Sequence, residues 1–179
     1  MIRIDIPATS ANLGSGFDSL GIALTMCNRV WMEEADELKI TTTDKIKVPT
    51  DETNLIYWAA RHLYQICGKT LPGLHIIQEN NIPMARGLGS SSACIVAGIL
   101  GANRMLGSPM SQSDLINLAA QIEGHPDNTS PAISGGLVAS AMEGKRVYSV
   151  SVPVSGKISF AVMIPPFELK TCLLYTSPS

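Results

Sequence analysis

The sequence predicts an α+β fold, and three observations carry that prediction. Strand-like and helix-like segments are mixed, without the strict alternation of a parallel α/β protein. Apolar residues make up 45% of the chain, charged residues 16%, and mean hydropathy is +0.19. That balance is too apolar for disorder and calls for a buried core. The length, 179 residues, suits one domain or a large part of one, and a chain of that size hides roughly 70% of its unfolded surface.

The elements follow in order. Arg3 to Ile6 alternates polar and apolar residues and predicts a strand. Pro7 to Asp18 is rich in Pro, Ser, Asn and Gly and reads as a turn. Ile22 to Glu33 and Leu38 to Thr43 are β-branched and apolar enough for strands. Asn54 to Cys67 predicts a helix with Leu55, Trp58, Ala59, Leu63 and Ile66 on its buried face, stopped by Gly68. Leu74 to Gln78 is a short strand. Pro83 to Ser92 is a second turn-rich stretch, leading into Ala93 to Leu106, which is apolar on nearly all sides, as a buried helix is. A capping box at Ser111-Gln112-Ser113-Asp114 opens a helix from Ser113 to Glu123. Its apolar stripe is Leu115, Leu118, Ala119 and Ile122, and Gly124-His125-Pro126 ends it. Strands are expected at Gly136 to Met142, Val147 to Val152 and Ile158 to Ile164.

Composition excludes some functions. With 13 Lys+Arg against 15 Asp+Glu and a net charge of −2, there is no basic field to hold nucleic acid. The longest run of apolar and small residues, Ser92 to Ala102, is 11 residues, short of the ~20 that span a membrane. Met1 to Pro7 has no secretory h-region. Cys27, Cys67, Cys94 and Cys172 are widely spaced and form no metal or disulfide pattern. They are expected to be reduced and mostly buried in a cytoplasmic protein.

Four segments carry candidate chemistry. Arg86-Gly87-Leu88-Gly89-Ser90-Ser91-Ser92 opens the buried helix with two glycines and three hydroxyls. Free N–H groups and the positive end of a helix dipole suit a phosphate there; Ser90 as an ordinary N-cap is the other reading. The loop lacks the Lys of a Walker A motif and the third Gly of a dinucleotide fingerprint, and the chain has no Gly-x-Ser-x-Gly elbow. Glu123 ends its helix, where a carboxylate opposes the dipole. Either it turns out to water, or a cation such as Mg²⁺ removes the penalty. Glu123-Gly124-His125-Pro126-Asp127-Asn128 gathers two carboxylates, an imidazole and an amide, as a functional loop or a solvated turn does. Asn12 and Asp18 either hold a polar substrate or close Asx-turns.

These segments together resemble one family. Pro7-Ala8-Thr9-Ser10-Ala11-Asn12-Leu13-Gly14-Ser15-Gly16-Phe17-Asp18-Ser19-Leu20-Gly21 resembles the N-terminal signature of homoserine kinases. Pro83-Met84-Ala85-Arg86-Gly87-Leu88-Gly89-Ser90-Ser91-Ser92-Ala93 resembles the phosphate loop of the wider GHMP small-molecule kinase superfamily. Glu123 to Asn128, with Pro131-Ala132 and Gly135-Gly136, is similar to the third homoserine kinase block. The likeness runs from about residue 2 to Thr171, with the blocks in order.

The resemblance implies a ribosomal-protein-S5-domain-2-like ATP-binding domain over 1–155, then the start of a ferredoxin-like part over 156–171. It implies transfer of the ATP γ-phosphoryl group to the hydroxyl of L-homoserine in threonine biosynthesis, with ATP and Mg²⁺. By position, Pro83 to Ser92 would wrap the triphosphate and Asn54 would lie near the adenine. Ser91, or a neighbouring serine, and Glu123 would hold Mg²⁺. Asn12, Asp18, His125 and Asn128 would hold homoserine. Asn128, Glu123 and Thr171 would serve the transfer itself. No strong base is required by a loose, charge-spread transition state.

The chain departs from the family pattern in places. Ser15 stands where proline is usual, and Glu123 and His125 are only two apart. The family's Thr-x-x-x-Arg, whose arginine binds the substrate carboxylate, begins at Thr171 but meets Tyr175. Residues 172–179 match nothing in the family and read as a non-native tail. A chain ending there is expected to expose an apolar face suited to association, such as a homodimer, and to be weakened as a catalyst.

Overall fold

Sheet residues alternate inside and outside with the period of two that strands impose. The computed structural model describes residues 1–164. In chain order these form β1 (Ile2–Ala11), β2 (Leu20–Glu34), β3 (Lys39–Thr42), α1 (Leu55–Ile66), β4 (Leu74–Glu79), α2 (Ser90–Met105), α3 (Gln112–Glu123), α4 (Thr129–Ser134), β5 (Leu137–Glu143) and β6 (Arg146–Val152). The mixed α/β class expected from the sequence is the one observed. The strands make one sheet in the order β3-β4-β2-β5-β6, with β1 also paired to β2. All pairings are antiparallel except β3 with β4. Ile4, Ile6 and Ala8 of β1, Val30 and Met32 of β2, Ile40 of β3, and Leu74 and Ile76 of β4 join the helices in one core. Between them on the strands, Arg3 and Asp5 pair at 2.8 Å and Arg29 and Glu79 at 2.5 Å.

β1 runs four residues further into the predicted turn than Pro7, to Ala11. Thr9, Ser10 and Ala11 pair with Ala23, Ile22 and Gly21, after a register shift between Pro7 and Thr9. Proline is tolerated there because β1 pairs on one side only and the irregularity absorbs its missing donor. This extension carries β1 beneath the candidate phosphate loop.

α1 forms where predicted but is rotated about its axis. Ile56, Tyr57, Ala59, Ala60, Leu63 and Tyr64 are buried, while Leu55, Trp58 and Ile66 are 42%, 44% and 51% exposed. Small residues decide the orientation. An added Cβ at Gly98 of α2 would lie 2.3 Å from the Ile56 carbonyl oxygen and 2.9 Å from Ala59 Cβ, so α1 turns its alanine side to α2. On the other side of α2, a Cβ at Gly101 would lie 2.3 Å from Met32 Sδ. Gly98→Ala gains up to ~1 kcal/mol of helix propensity but overpacks against fixed backbone, which costs about 3 kcal/mol. A net loss of about 2 kcal/mol is expected, seen as a lower urea midpoint at unchanged slope.

α2 starts at Ser90, three residues before the predicted Ala93, and is buried on most sides as expected. α3 opens on the predicted capping box, with Ser111 and Asp114 bonded reciprocally, and closes on Gly124 at φ 95°. The short α4 has no counterpart in the sequence reading; six residues are too few to show a period. β5 and β6 lie within a residue of expectation. Ile158 to Ile164 is not a strand: its apolar residues are exposed, and no described strand pairs with it. Alternation alone does not make a strand without a neighbour. Cys27, Cys67 and Cys94 are free, as expected, but half-buried, not buried. Thr171, Cys172, Tyr175 and the tail lie outside the described residues, as do residues 165–170.

No helix among the described residues is long and apolar enough to cross a membrane.

Candidate active site

The loop before α2 owes its shape to left-handed backbone at alternate residues. Ala85, Gly87 and Gly89 have φ of 53°, 70° and 64°. Such backbone turns N–H groups to one side and makes anion-binding concavities. Gly89 is the N-cap of α2 and offers no side-chain cap, so the first-turn N–H groups of the helix are left for a ligand. Ser90 therefore opens the helix and does not cap it. Thr9 N–H of β1 donates to Leu88 O at 3.2 Å and ties the loop to the sheet. A Cβ on Gly89 would fall 2.0 Å from Thr9 Oγ1 and 3.1 Å from Asn128 Oδ1. Glycine is required there twice over, by φ and by space.

Glu123 faces this loop, not open water alone. Ser92 Oγ donates to its Oε1 at 3.0 Å. The resemblance implies Ser91, or a neighbouring serine, beside Glu123. Ser92 is turned inward and buried, while Ser91 is exposed, and both line the same cleft. A hydroxyl, one carboxylate and the adjoining phosphate loop fit Mg²⁺, which uses one or two carboxylates and completes its shell with phosphate oxygens and water. Among the described residues no group of three or more His, Cys, Asp or Glu could hold a metal alone. Burial, with the nearby Glu123 charge, pushes the Cys94 thiol up to about 11. Cys94 is thereby held as a thiol at neutral pH and is no nucleophile.

The opposite side of the site is built from two loops. Asn12 and Asp18 flank the β1–β2 turn, both with left-handed φ, 58° and 53°. Asn12 Oδ1 accepts from Asp18 N–H at 2.8 Å. Asn12 thus closes the loop with one end of its amide and lines the cleft as well. After Gly124, Asp127 is 1% exposed. Its Oδ1 lies 2.5 Å from His125 Nδ1 and accepts from Asn128 Nδ2 at 3.4 Å. The hydrogen bond to Asp127 raises the His125 pKa against the desolvation that lowers it, and the charges of Asp127, Glu123 and Asp18 act in the same direction as the bond. Asn128 Oδ1 accepts from Thr9 Oγ1 at 2.8 Å. Gly21 lets β2 close on this loop: a Cβ there would lie 1.8 Å from the Asp127 carbonyl oxygen.

One cleft of about 260 Å³ joins both sides. Asn12, Asp18, the loop from Ala85 to Ser92, Glu123, His125, Asp127 and Asn128 line it. It lies just under the ~300–1,000 Å³ typical of sites that enclose a drug-sized ligand. That suits the polar end of a larger molecule entering from solvent. Pro83 and Met84 lead into the loop without lining the cleft. Asn54 is not there either. It is the N-cap of α1, its Oδ1 accepting from Ile56 and Tyr57 N–H and its Nδ2 donating to Pro49 O. Its neighbours Thr53 and Leu55 line a second, shallow cleft. Three residues have no role assigned from the sequence. Thr9 and Asp127 hold the Asn128 amide. Trp58, stacked on His62 with ring centroids 5.4 Å apart, borders that second cleft with Leu55, Ile95 and Ile122; it shares Ser91 and Glu123 with the first. Trp58 was assigned to the core because its spacing fitted a helix face.

Residues 54–136, which include the phosphate loop, Glu123 and Asn128, match the GHMP kinases N terminal domain family.

The chain carries a GHMP kinase N-terminal domain.

Its relatives narrow the branch. A homoserine kinase of Clostridium botulinum is 44% identical over 173 residues, 96% of this chain and 57% of that protein. One of Caldicellulosiruptor bescii is 44% identical over 96% of this chain and 56% of its own length. The crystal structure of a homoserine kinase from Cytophaga hutchinsonii superposes with a TM-score of 0.74 at 31% identity, covering 86% of this chain and 52% of that one. This chain thus spans a little over half the length of the curated relatives it matches.

Proposed function

We propose that this chain transfers the γ-phosphoryl group of ATP to the hydroxyl of L-homoserine, forming O-phosphohomoserine for threonine biosynthesis. The observation that carries the reading is the contact between the two halves of the cleft. Gly89 of the phosphate loop packs against both Thr9 and Asn128, so an anion on the loop lies beside the acceptor residues. The names of the relatives supply the acceptor.

In this reading the loop from Ala85 to Ser92 and the α2 N-terminus hold the triphosphate through backbone N–H groups. Ser92, with Ser91 beside it, and Glu123 would hold Mg²⁺, which would supply positive charge against the phosphates. The Asp18 carboxylate holds the acceptor ammonium, with Asn12 and His125 around it. Asn128 donates to oxygen at the reacting centre; its amide does not titrate and takes no proton. The acceptor oxygen bonds to the γ-phosphorus as the bond to ADP breaks, and the hydroxyl proton leaves to solvent or to a phosphate oxygen. Exposed Leu55 and Trp58 give a nucleobase an apolar surface next to Ser91 and Glu123. Thr171 belongs to the same reading from outside the described residues, as do the domain boundary near 155 and a cytoplasmic setting. The exposed Tyr148, Val150 and Val152 of β6 are the candidate surface for the expected homodimer.

The test is release of ADP from Mg-ATP with and without L-homoserine, with a phosphate ester of the acceptor identified by ³¹P NMR. Homoserine-dependent ADP release is expected. The opposite outcome is a chain that binds nucleotide without transfer. Its mark is a thermal shift with Mg-ATP, worth about 2.7 kcal/mol at one hundred times Kd, and no ADP under any acceptor.

A further inference from the structure

A primary amide can present either its oxygen or its nitrogen to a ligand, and only its surroundings decide which. Around Asn128 they decide fully. Asp127 Oδ1 is an acceptor, so the Asn128 end at 3.4 Å from it is Nδ2. The other end is then Oδ1, and it takes the Thr9 hydroxyl at 2.8 Å. Both neighbours are about 1% exposed, so water does not compete for these bonds. Thr9 is itself held by its strand and by the N–H to Leu88 O at 3.2 Å. Asp127 is pinned from behind by β2, where Gly21 leaves no room for a side chain against the Asp127 carbonyl.

We propose that Thr9 is a positioning residue for phosphoryl transfer: with Asp127 it grips the Asn128 amide at both ends, so that the second Nδ2 hydrogen is kept for the oxygens of the reaction. The inference rests on the acceptor-site reading above. It also assigns the strand β1 a function, since the hydroxyl that sets the amide and the N–H that ties down the phosphate loop belong to one residue. A flipped amide would set its carbonyl oxygen against phosphate oxygens and repel them.

Two substitutions separate this role from a packing role. Thr9→Val keeps the side-chain volume and removes the donor; Thr9→Ser keeps the donor and removes a methyl. Thr9→Val should lower kcat for L-homoserine about tenfold to a hundredfold, the scale of a misplaced reacting group, with the KM for Mg-ATP held within about twofold. Thr9→Ser should stay within about threefold of the parent chain. A kcat for Thr9→Val within about twofold of the parent, or an equal loss in Thr9→Ser, overturns the proposal. A measurement without turnover decides it independently. The Asn128 side-chain amide signals in a ¹⁵N–¹H spectrum, assigned by their loss in Asn128→Leu, should move or broaden in Thr9→Val and stay in place in Thr9→Ser. Unmoved signals in Thr9→Val overturn it. If the parent chain binds Mg-ATP but releases no ADP with L-homoserine, the acceptor reading falls, while the amide spectrum still decides the role of Thr9.

Discussion

Gly89→Ala is expected to abolish Mg-ATP binding while leaving a folded chain. The Cβ would sit 2.0 Å from Thr9 Oγ1. Thr9 is β-branched, buried and bonded to both Asn128 and Leu88, so it cannot swing aside without releasing the acceptor amide or the loop. The φ of 64° adds about 1–2 kcal/mol for a residue with a Cβ. The loop must therefore lift away from β1, and its N–H groups lose their common direction. Helix α2 begins only at the next residue, so the core beyond Ala93 is untouched. The melting point should fall by about 2–8 °C, as 1–2 kcal/mol gives in a chain of this size. The stabilisation by Mg-ATP should vanish altogether. A normal Mg-ATP shift in Gly89→Ala would show that the triphosphate binds elsewhere.

Glu123→Gln should separate activity from stability in opposite directions. Gln keeps an oxygen for the Ser92 hydroxyl, now at 3.0 Å, so the local geometry survives. It removes a negative charge from the C-terminal end of α3, where the helix dipole disfavours it by about 0.3–1 kcal/mol. The variant should melt slightly higher than the parent. The same charge is the only carboxylate bonded to a serine of the α2 N-terminus among the described residues, and in the proposed reading with it goes the hold on Mg²⁺. The rate should drop about 10²–10³-fold, the scale of losing one preorganised electrostatic contact to developing charge. The Mg²⁺ concentration for half-maximal rate should rise. Equal stability and an unchanged Mg²⁺ requirement would return Glu123 to a solvated helix end.

Much of the fold was legible because it follows from period and punctuation. The capping box at Ser111, the left-handed stop at Gly124 and the all-round apolar α2 are local facts, and local facts survive folding. Errors came where a partner decided. Leu55, Trp58 and Ile66 match a helix stripe as well as Ile56, Ala60 and Leu63 do; Gly98 on another helix chose between them. Ile158 to Ile164 has the pattern of a strand and no described neighbour to make it one. At the site, the three glycine- and carboxylate-bearing segments could be read in sequence. Their mutual geometry could not. Thr9 shows no role in the sequence beyond its place in the Pro7–Gly21 segment, because a threonine is ordinary until the fold sets it against an amide 119 positions away.

Helix α2 stands between α1 and the sheet with Gly98 and Gly101 at its two contacts and Ala93, Ala97 and Ala102 buried along it. Its dimensions set an upper limit on residue size and almost no lower one. At these five positions there is little volume to delete, so the cavity-forming changes that usually dominate damage in a core are nearly absent. Variation tolerated there should run in one direction, toward smaller side chains. A library sampling these five positions should recover glycine, alanine and serine and reject every branched residue, even though Ile95, Val96 and Ile99 of the same helix are branched and buried.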